Sequence, residues 1–432
     1  MINDAITNNR MRRLSWMLVS FAMVSSGPAL SGPEQTAFAW ELDEPIVTYW
    51  GGWSMGPTVA EYVADGNINL IWASESEGSR YGRYFLDLAE QNGLNALWMD
   101  TAFNEGYELG DLNIPAKKAY IDDTIDDLNE MFVGVGGTMV PRYPAFFGYY
   151  LYDEPTADKF AEIAEIRDYL RVRDPEHLAY VNISGLWHIT SQQQVDDYQT
   201  YLNDYLSTVQ PDLLSYDNYQ MMNATFQPPY GNNDLNGYLW NLGIISDAAQ
   251  QAGIPFMNIV QAVRDNAGWR NPDSNELRYL VYSTLAYGAQ GISYYNWYRN
   301  YTPPGPGEQY YNGDTTAGGL EAESWNPIVP TDTYTALTPL NAQFVEVATE
   351  LQRVERIGTY LKGYAAGSGP PGPTLPPVGA PFSVSGVSDS LVYIDRDPLI
   401  GVLLGLFGPE GGMLADATTT LVQNIDYLRF RT

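Results

Sequence analysis

The stretch "FFGYYLYDEPTADKF", residues 146–160, places two adjacent carboxylates, Asp153 and Glu154, at the end of an apolar aromatic run. Such a run reads as a buried strand. Pro155 stops it, and Thr156 can cap the helix that follows. Adjacent carboxylates repel, and burial disfavours their charged forms, so at least one is expected to hold its proton above the usual range. A carboxyl protonated near neutral pH can work as a general acid. The plainer reading is an acidic helix N-terminus that complements the helix dipole. A further acid, Asp217, closes another apolar run in "LLSYDNY".

Composition pushes the chemistry the same way. The 432 residues hold 52 acids against 22 bases, a net charge of -30, with two His and no Cys. Without Cys there is no thiolate nucleophile, disulfide frame or iron–sulfur cluster. Two His leave no room for a His-rich metal site, so acid–base work falls to carboxylates or Tyr. A polyanion repels nucleic acid and anionic lipid, which excludes a general binder of either. Acids beyond the few that a site can use must coat outer helices, as in "YIDDTIDDLNE", a surface suited to a salty medium.

Eight apolar runs must position these acids: Ile46–Trp50, Ile68–Ala73, Leu94–Asp100, Phe146–Asp153, Leu178–Ile183, Leu213–Tyr219, Ile254–Gln261 and Ile292–Tyr298. Helix-like segments separate them, and a last one, Thr331–Ile357, follows the eighth run. No G-x-G-x-x-G follows the first strand. Eight alternating units predict an α/β fold, a (β/α)8 TIM barrel, rather than a doubly wound sheet.

The domain plan follows. Arg10, Arg12 and Arg13, an apolar run from Leu14 to Val24, and Ala37-Phe38-Ala39 form a secretory signal pattern over residues 1–39. Residues 40–362 form the barrel. Residues 363–381 are a Gly/Pro-rich linker, and 382–432 a small β-rich module. The mature protein is expected outside the cytoplasm, secreted or periplasmic, with no membrane insertion.

In such a barrel the active site lies at the C-terminal ends of the strands. Those ends carry Trp50, Asp100, Asp153, Glu154, Asn182, Asp217, Tyr219, Asn258, Gln261 and Trp297. Aromatic faces stack on sugar rings, and amides and carboxylates bind hydroxyls. No basic clamp or phosphate loop is visible. A carbohydrate is therefore the expected partner, with Asn182 and Asn258 as candidate hydroxyl binders. Among the Trp residues 50, 53, 72 and 98, one or two are expected to face the cleft. His177 is expected to be structural; His188 follows the fifth strand on the active side. Long loops after the third and eighth strands, Thr101–Pro115 and Tyr301–Pro330, are expected to shape the cleft.

The "Y-D-E-P" of residues 152–155 is similar to the "N-E-P" of TIM-barrel glycoside hydrolases in the cellulase and β-galactosidase superfamily, clan A. The run "AYGAQGISYYNWY" resembles their eighth strand. The resemblance implies that Glu154 is the proton donor, that Asp153 replaces a sugar-binding Asn, and that Trp297 floors the subsite at the scissile bond. It implies hydrolysis of glycosidic bonds without a cofactor. The chain departs from the pattern at strand seven, where "IPFMNIVQAV" offers Gln261 in place of a nucleophilic Glu. An amide cannot form the usual glycosyl–enzyme intermediate. Asp217 is the first choice for the second carboxylate, as general base across a water or as nucleophile. Asp100, Glu75 and Asp265 are reserves. Two other readings stay open: a carbohydrate-binding barrel without catalysis, and a Mg²⁺-dependent lyase or isomerase.

Overall fold

The computed structural model describes residues 40–50, 57–75, 81–100, 103, 112–134, 136–186, 191–219, 221, 238–262, 271–295, 316–317, 329–353, 355–362, 393–394, 397–398, 402–408 and 420–423. The signal pattern, the linker, Trp53, His188, Asp265, Trp297 and most of the two long loops lie outside these residues.

Eight strands run parallel: β1 (Ile46–Tyr49), β2 (Leu70–Glu75), β3 (Asn95–Asp100), β4 (Phe146–Asp153), β5 (Leu178–Ser184), β6 (Leu214–Asn218), β7 (Phe256–Gln261) and β8 (Gly291–Tyr295). From β2 to β8 each strand pairs with the next in sequence, and β1 pairs with β8, the arrangement of a nearly closed (β/α)8 barrel. Among the described residues, eight helices alternate with them: α1 (Pro57–Asp65), α2 (Tyr81–Gln91), α3 (Pro115–Leu128), α4 (Phe160–Arg173), α5 (Gln192–Thr208), α6 (Leu239–Ala252), α7 (Ser274–Ala286) and α8 (Asp332–Leu351). Helix starts follow local chemistry. Ser191 with Gln194, and Asp273 with Glu276, form reciprocal capping boxes. Thr156 does not cap; its hydroxyl bonds Asp158, and the chain enters α4 through a 3₁₀ turn, Ala157–Lys159.

The β1–β2 seam has no strand ladder. Asn69 bridges it instead, accepting from Val47 N (2.8 Å) and donating to Pro45 O (2.8 Å). Thr48 Oγ1 donates to Leu70 O (2.8 Å), and Trp72 Nε1 to Tyr49 O (2.5 Å). The interior beneath the mouth is aromatic: Trp72 lies edge-on to Trp50 and Tyr150, with Tyr180 beside them. Trp98 is fully buried with Arg83 over its ring.

Two elements differ from expectation. The third helix ends at Leu128, and Met131–Val133 pairs with Met139–Pro141 as a short hairpin turning at Gly136 and Gly137, both at positive φ. Its Phe132 and Val133 are exposed, so no burial pattern in the sequence announced it. The last helix stops at Leu351. Glu355–Lys362, with β-branched Ile357 and Thr359 around Gly358, forms a strand, β9. It pairs antiparallel with β10 (Val402–Gly408), which pairs with β11 (Thr420–Gln423).

At the opposite end of the barrel, Asp174 is buried after α4. It accepts from Tyr149 (2.7 Å), Asn129 (2.8 Å) and His177 Nδ1 (2.7 Å). His177 also lies against Phe146, so its place is structural. Burial raises the Asp174 pKa, but His177, Asn129 and Tyr149 outweigh it and hold the carboxyl below its ordinary 3.8. A depressed carboxyl contributes stability above its unfolded pKa and loses it as pH falls through the folded value. Asp174→Asn should therefore lower the melting temperature clearly at pH 7 and much less near pH 2. Equal losses at both would show that the charge contributes nothing.

Candidate active site

Strand register builds the site. Asn182 of β5 lies opposite Asp153 of β4 on one side and Ser215 of β6 on the other. Side chains alternate along a strand. Tyr180 and Asn182 therefore share a face, as do Ser215 and Asp217. In β4 the phase changes: the register slips between Tyr150 and Tyr152. Tyr150 lies beside Tyr180 within the barrel, and Asp153, three residues on, still meets Asn182. Without that bulge the period of two would aim Asp153 outward.

One amide joins two of the acids. Asn182 Nδ2 donates to Asp153 Oδ1 at 3.0 Å and to Asp217 Oδ1 at 3.2 Å. Its Oδ1 accepts from Ser215 Oγ at 3.0 Å, and Ser215 Oγ lies 2.9 Å from Tyr180 OH. Gly185 lets β5 pass close to β6, since a Cβ there would stand 2.2 Å from Asp217 O.

Glu154 completes the group from an unusual backbone. Its φ of 47° lies in the left-handed region, which disfavours a side chain by about 1–2 kcal/mol. Its N–H donates to Asn182 O (2.8 Å), fixing the turn. Strain held by such contacts tends to mark functional positions. Glu154 is exposed, Asp153 half-buried, and Asp217 only 3% exposed.

Glu154 and Asp217 meet at Asn182, which accepts from the Glu154 N–H (2.8 Å) and donates through Nδ2 to the Asp217 carboxyl (3.2 Å). Burial drives the Asp217 pKa well above its ordinary value, and the charges of Glu154 and Asp153 push it further; the Asn182 donation opposes them. The sequence had pointed to the Asp153–Glu154 pair for a raised carboxyl; the fold adds Asp217, raised by its burial beside both. Tyr198, Tyr201 and Tyr219 feel the same charges; burial, then those charges, raises their pKa values and keeps them as hydroxyl donors. Tyr201 OH donates to Pro155 O (2.8 Å), tying α5 to the turn after Glu154.

The fold brings together Asp153, Glu154, Asn182 and Asp217, with Tyr219 near and its ring 4.9 Å from Tyr295. Trp50 is half-buried against Trp72 and Tyr150. The other candidates among the described residues, Asp100, Asn258 and Gln261, are engaged elsewhere. Asp100 is buried and accepts from Tyr120 OH (2.8 Å) of α3. Asn258 donates to Thr284 Oγ1 (2.8 Å) of α7. Gln261 is fully buried; its amide accepts from Met221 N (2.8 Å) and donates to Met221 O (3.0 Å). It pins the chain beyond β6. The sequence reading overlooked Ser215, Tyr180, Tyr198 and Tyr201. The alternation from Asn182 to Tyr180 and from Asp217 to Ser215 could have found the first two.

Among similar solved structures are glycosidases. The endo-β-1,4-mannanase from Thermotoga petrophila shares 12% identity over 71% of this chain and 77% of its own, with a TM-score of 0.42. A family 5 mannosidase from Rhizomucor miehei shares 15% over 71% and 95%, TM-score 0.44. A family 99 endo-α-mannosidase from Bacteroides thetaiotaomicron shares 13% over 72% and 99%, TM-score 0.44. No family model and no curated protein matches this chain. Among the described residues, no three His, Asp or Glu are grouped to hold a metal ion, and no helix is long and apolar enough to cross a membrane.

Proposed function

We propose that this chain is an exported glycoside hydrolase of the clan A kind, acting on an oligo- or polysaccharide through Glu154 and Asp217. The meeting of Asp153, Glu154 and a buried Asp217 around Asn182 at the strand ends carries this reading. Burial beside other acids favours the neutral form of Asp217, which suits it to supply a proton. Export rests on the basic, apolar and Ala-Phe-Ala pattern of residues 1–39.

In this reading Glu154 faces the glycosidic oxygen. Asp217 passes its proton to Glu154 as Glu154 protonates the leaving group. Water adds to the anomeric carbon, and the proton it sheds returns to the pair. The balance closes without a cofactor. In this reading Asp217 acts through Glu154; as a general base across a water, it would belong to an inverting pair about 6.5–9.5 Å apart. Tyr219 and Trp50 supply aromatic surface, and Asp153 accepts a sugar hydroxyl.

The test is hydrolysis of a glycan panel, β-mannans, β-glucans and β-galactosides included, by the purified chain. Release of reducing ends from at least one member is expected. Binding without cleavage would favour the second reading, a non-catalytic carbohydrate-binding barrel, which the engagement of Gln261 with Met221 motivates.

A further inference from the structure

The inner face of β5 and β6 carries a chain of hydrogen bonds that runs in one direction. Tyr180 is wholly buried, and burial, with Asp153 and Asp217 nearby, keeps its hydroxyl protonated. Ser215 Oγ gives its hydrogen to Asn182 Oδ1 (3.0 Å), so in the bond with Tyr180 (2.9 Å) it can only accept. Asn182 then gives both hydrogens of Nδ2 to Asp153 (3.0 Å) and Asp217 (3.2 Å). Each link donates toward the carboxyls. Asn182 is 2% exposed and Ser215 fully buried, so no bulk water competes.

An amide has two orientations that differ by exchange of O and N. Turned the other way, Asn182 would present its oxygen to two carboxyls and its NH₂ to a hydroxyl already aimed at it. Only the Ser215 hydroxyl, oriented by Tyr180, distinguishes the two ends of the amide from behind. Bonds in such a chain polarise one another. Donation to a carboxyl favours its ionised form.

We infer that Tyr180 and Ser215 are positioning residues that lock the Asn182 amide with its NH₂ on Asp153 and Asp217, and so set the proton affinity of the carboxyl cluster. This rests on the catalytic reading of that cluster only for its consequence in activity; the titration itself does not.

The experiment is a ¹³C-carboxyl NMR titration of the substrate-free protein, with Asp217→Asn to assign the resonance. Groups facing Asp217 are Glu154, Asp153 and Asn182, with Tyr198, Tyr201 and Tyr219 around them. Ser215→Ala should move the Asp217 midpoint upward by about one unit, a tenfold change in proton affinity. Tyr180→Phe, which leaves the Ser215 donation possible, should move it upward by less. Where a glycan is cleaved, the pH profile of kcat should shift in the same direction as the midpoint. A folded Ser215→Ala protein with the parental midpoint overturns the inference, as does a downward shift. Should Ser215→Ala fail to fold, Tyr180→Phe decides by the same criterion. A shifted midpoint in a chain that cleaves no glycan would sink the functional reading and leave the donor chain standing.

Discussion

Asp217→Asn is expected to reduce glycan hydrolysis by at least about a thousandfold while raising the melting temperature at pH 7. The two effects have one cause. Asp217 is buried beside Glu154 and Asp153, and its pKa is driven well up. A carboxyl raised in the folded state contributes stability below its unfolded pKa and loses it as pH rises through the folded value. At neutral pH the wild type therefore carries a cost that Asn does not. An amide fills the same space and still accepts from Asn182, but it has no proton to pass to Glu154. Glu154→Gln should lose activity comparably with little effect on stability, because that side chain is exposed. Two groups that act as a unit give non-additive losses. The double variant should therefore be no more than about tenfold below the worse single one. Stopped assays on the panel glycan, with thermal melts at pH 5 and 7, supply the measurement. A destabilised Asp217→Asn protein, or one retaining a tenth of the activity, would remove Asp217 from the mechanism.

Why the sequence pointed to Glu154 but not to this division of roles is a matter of range. Strands buried on both faces write themselves as apolar runs, and β1 to β8 lie within or across the runs read from the chain. That reading also locates the strand ends, hence Asp153, Glu154, Asn182 and Asp217. It cannot supply register. The bulge between Tyr150 and Tyr152 inserts one residue and turns Asp153 inward, and nothing in "YYLYD" marks it. The pKa of Asp217 depends on burial and on charges from another strand, which are properties of the closed barrel. Asn258 and Gln261 show the opposite limit. Both are polar and stand in a strand-end run, yet one bonds the helix layer and the other the backbone of Met221. Residue type alone does not say which face a side chain takes. The hairpin at Met131–Pro141 lacks the buried side that alternation would reveal.

Trp72→Ala should cost about 3–5 kcal/mol of stability, the usual range for a buried Trp, and Trp72→Phe about 1–3 kcal/mol. From the sequence Trp72 was one of four Trp residues at strand ends, any of which could have been a sugar platform. In the fold it is 2% exposed and holds the one seam of the barrel that lacks a ladder. Its indole fills the space between Trp50, Tyr150 and Tyr180, at centroid distances of 5.3, 5.3 and 6.2 Å. Its Nε1 donates to Tyr49 O across β1 and β2. Alanine removes packing and hydrogen bond together. Phenylalanine keeps most of the packing and leaves the Tyr49 carbonyl without that donor, so the difference between the two variants separates ring from bond. Tyr180, which begins the donor chain to Asn182, rests against the same indole. Both variants should therefore lose activity in excess of the fraction unfolded, the alanine variant more. Urea denaturation at fixed pH gives the free energies, with the m-value as a check that the same surface is exposed. A loss under about 1 kcal/mol for Trp72→Ala would mean that Asn69 and Thr48 close the barrel alone, and that the aromatic layer beneath the mouth is packing without consequence for the seam.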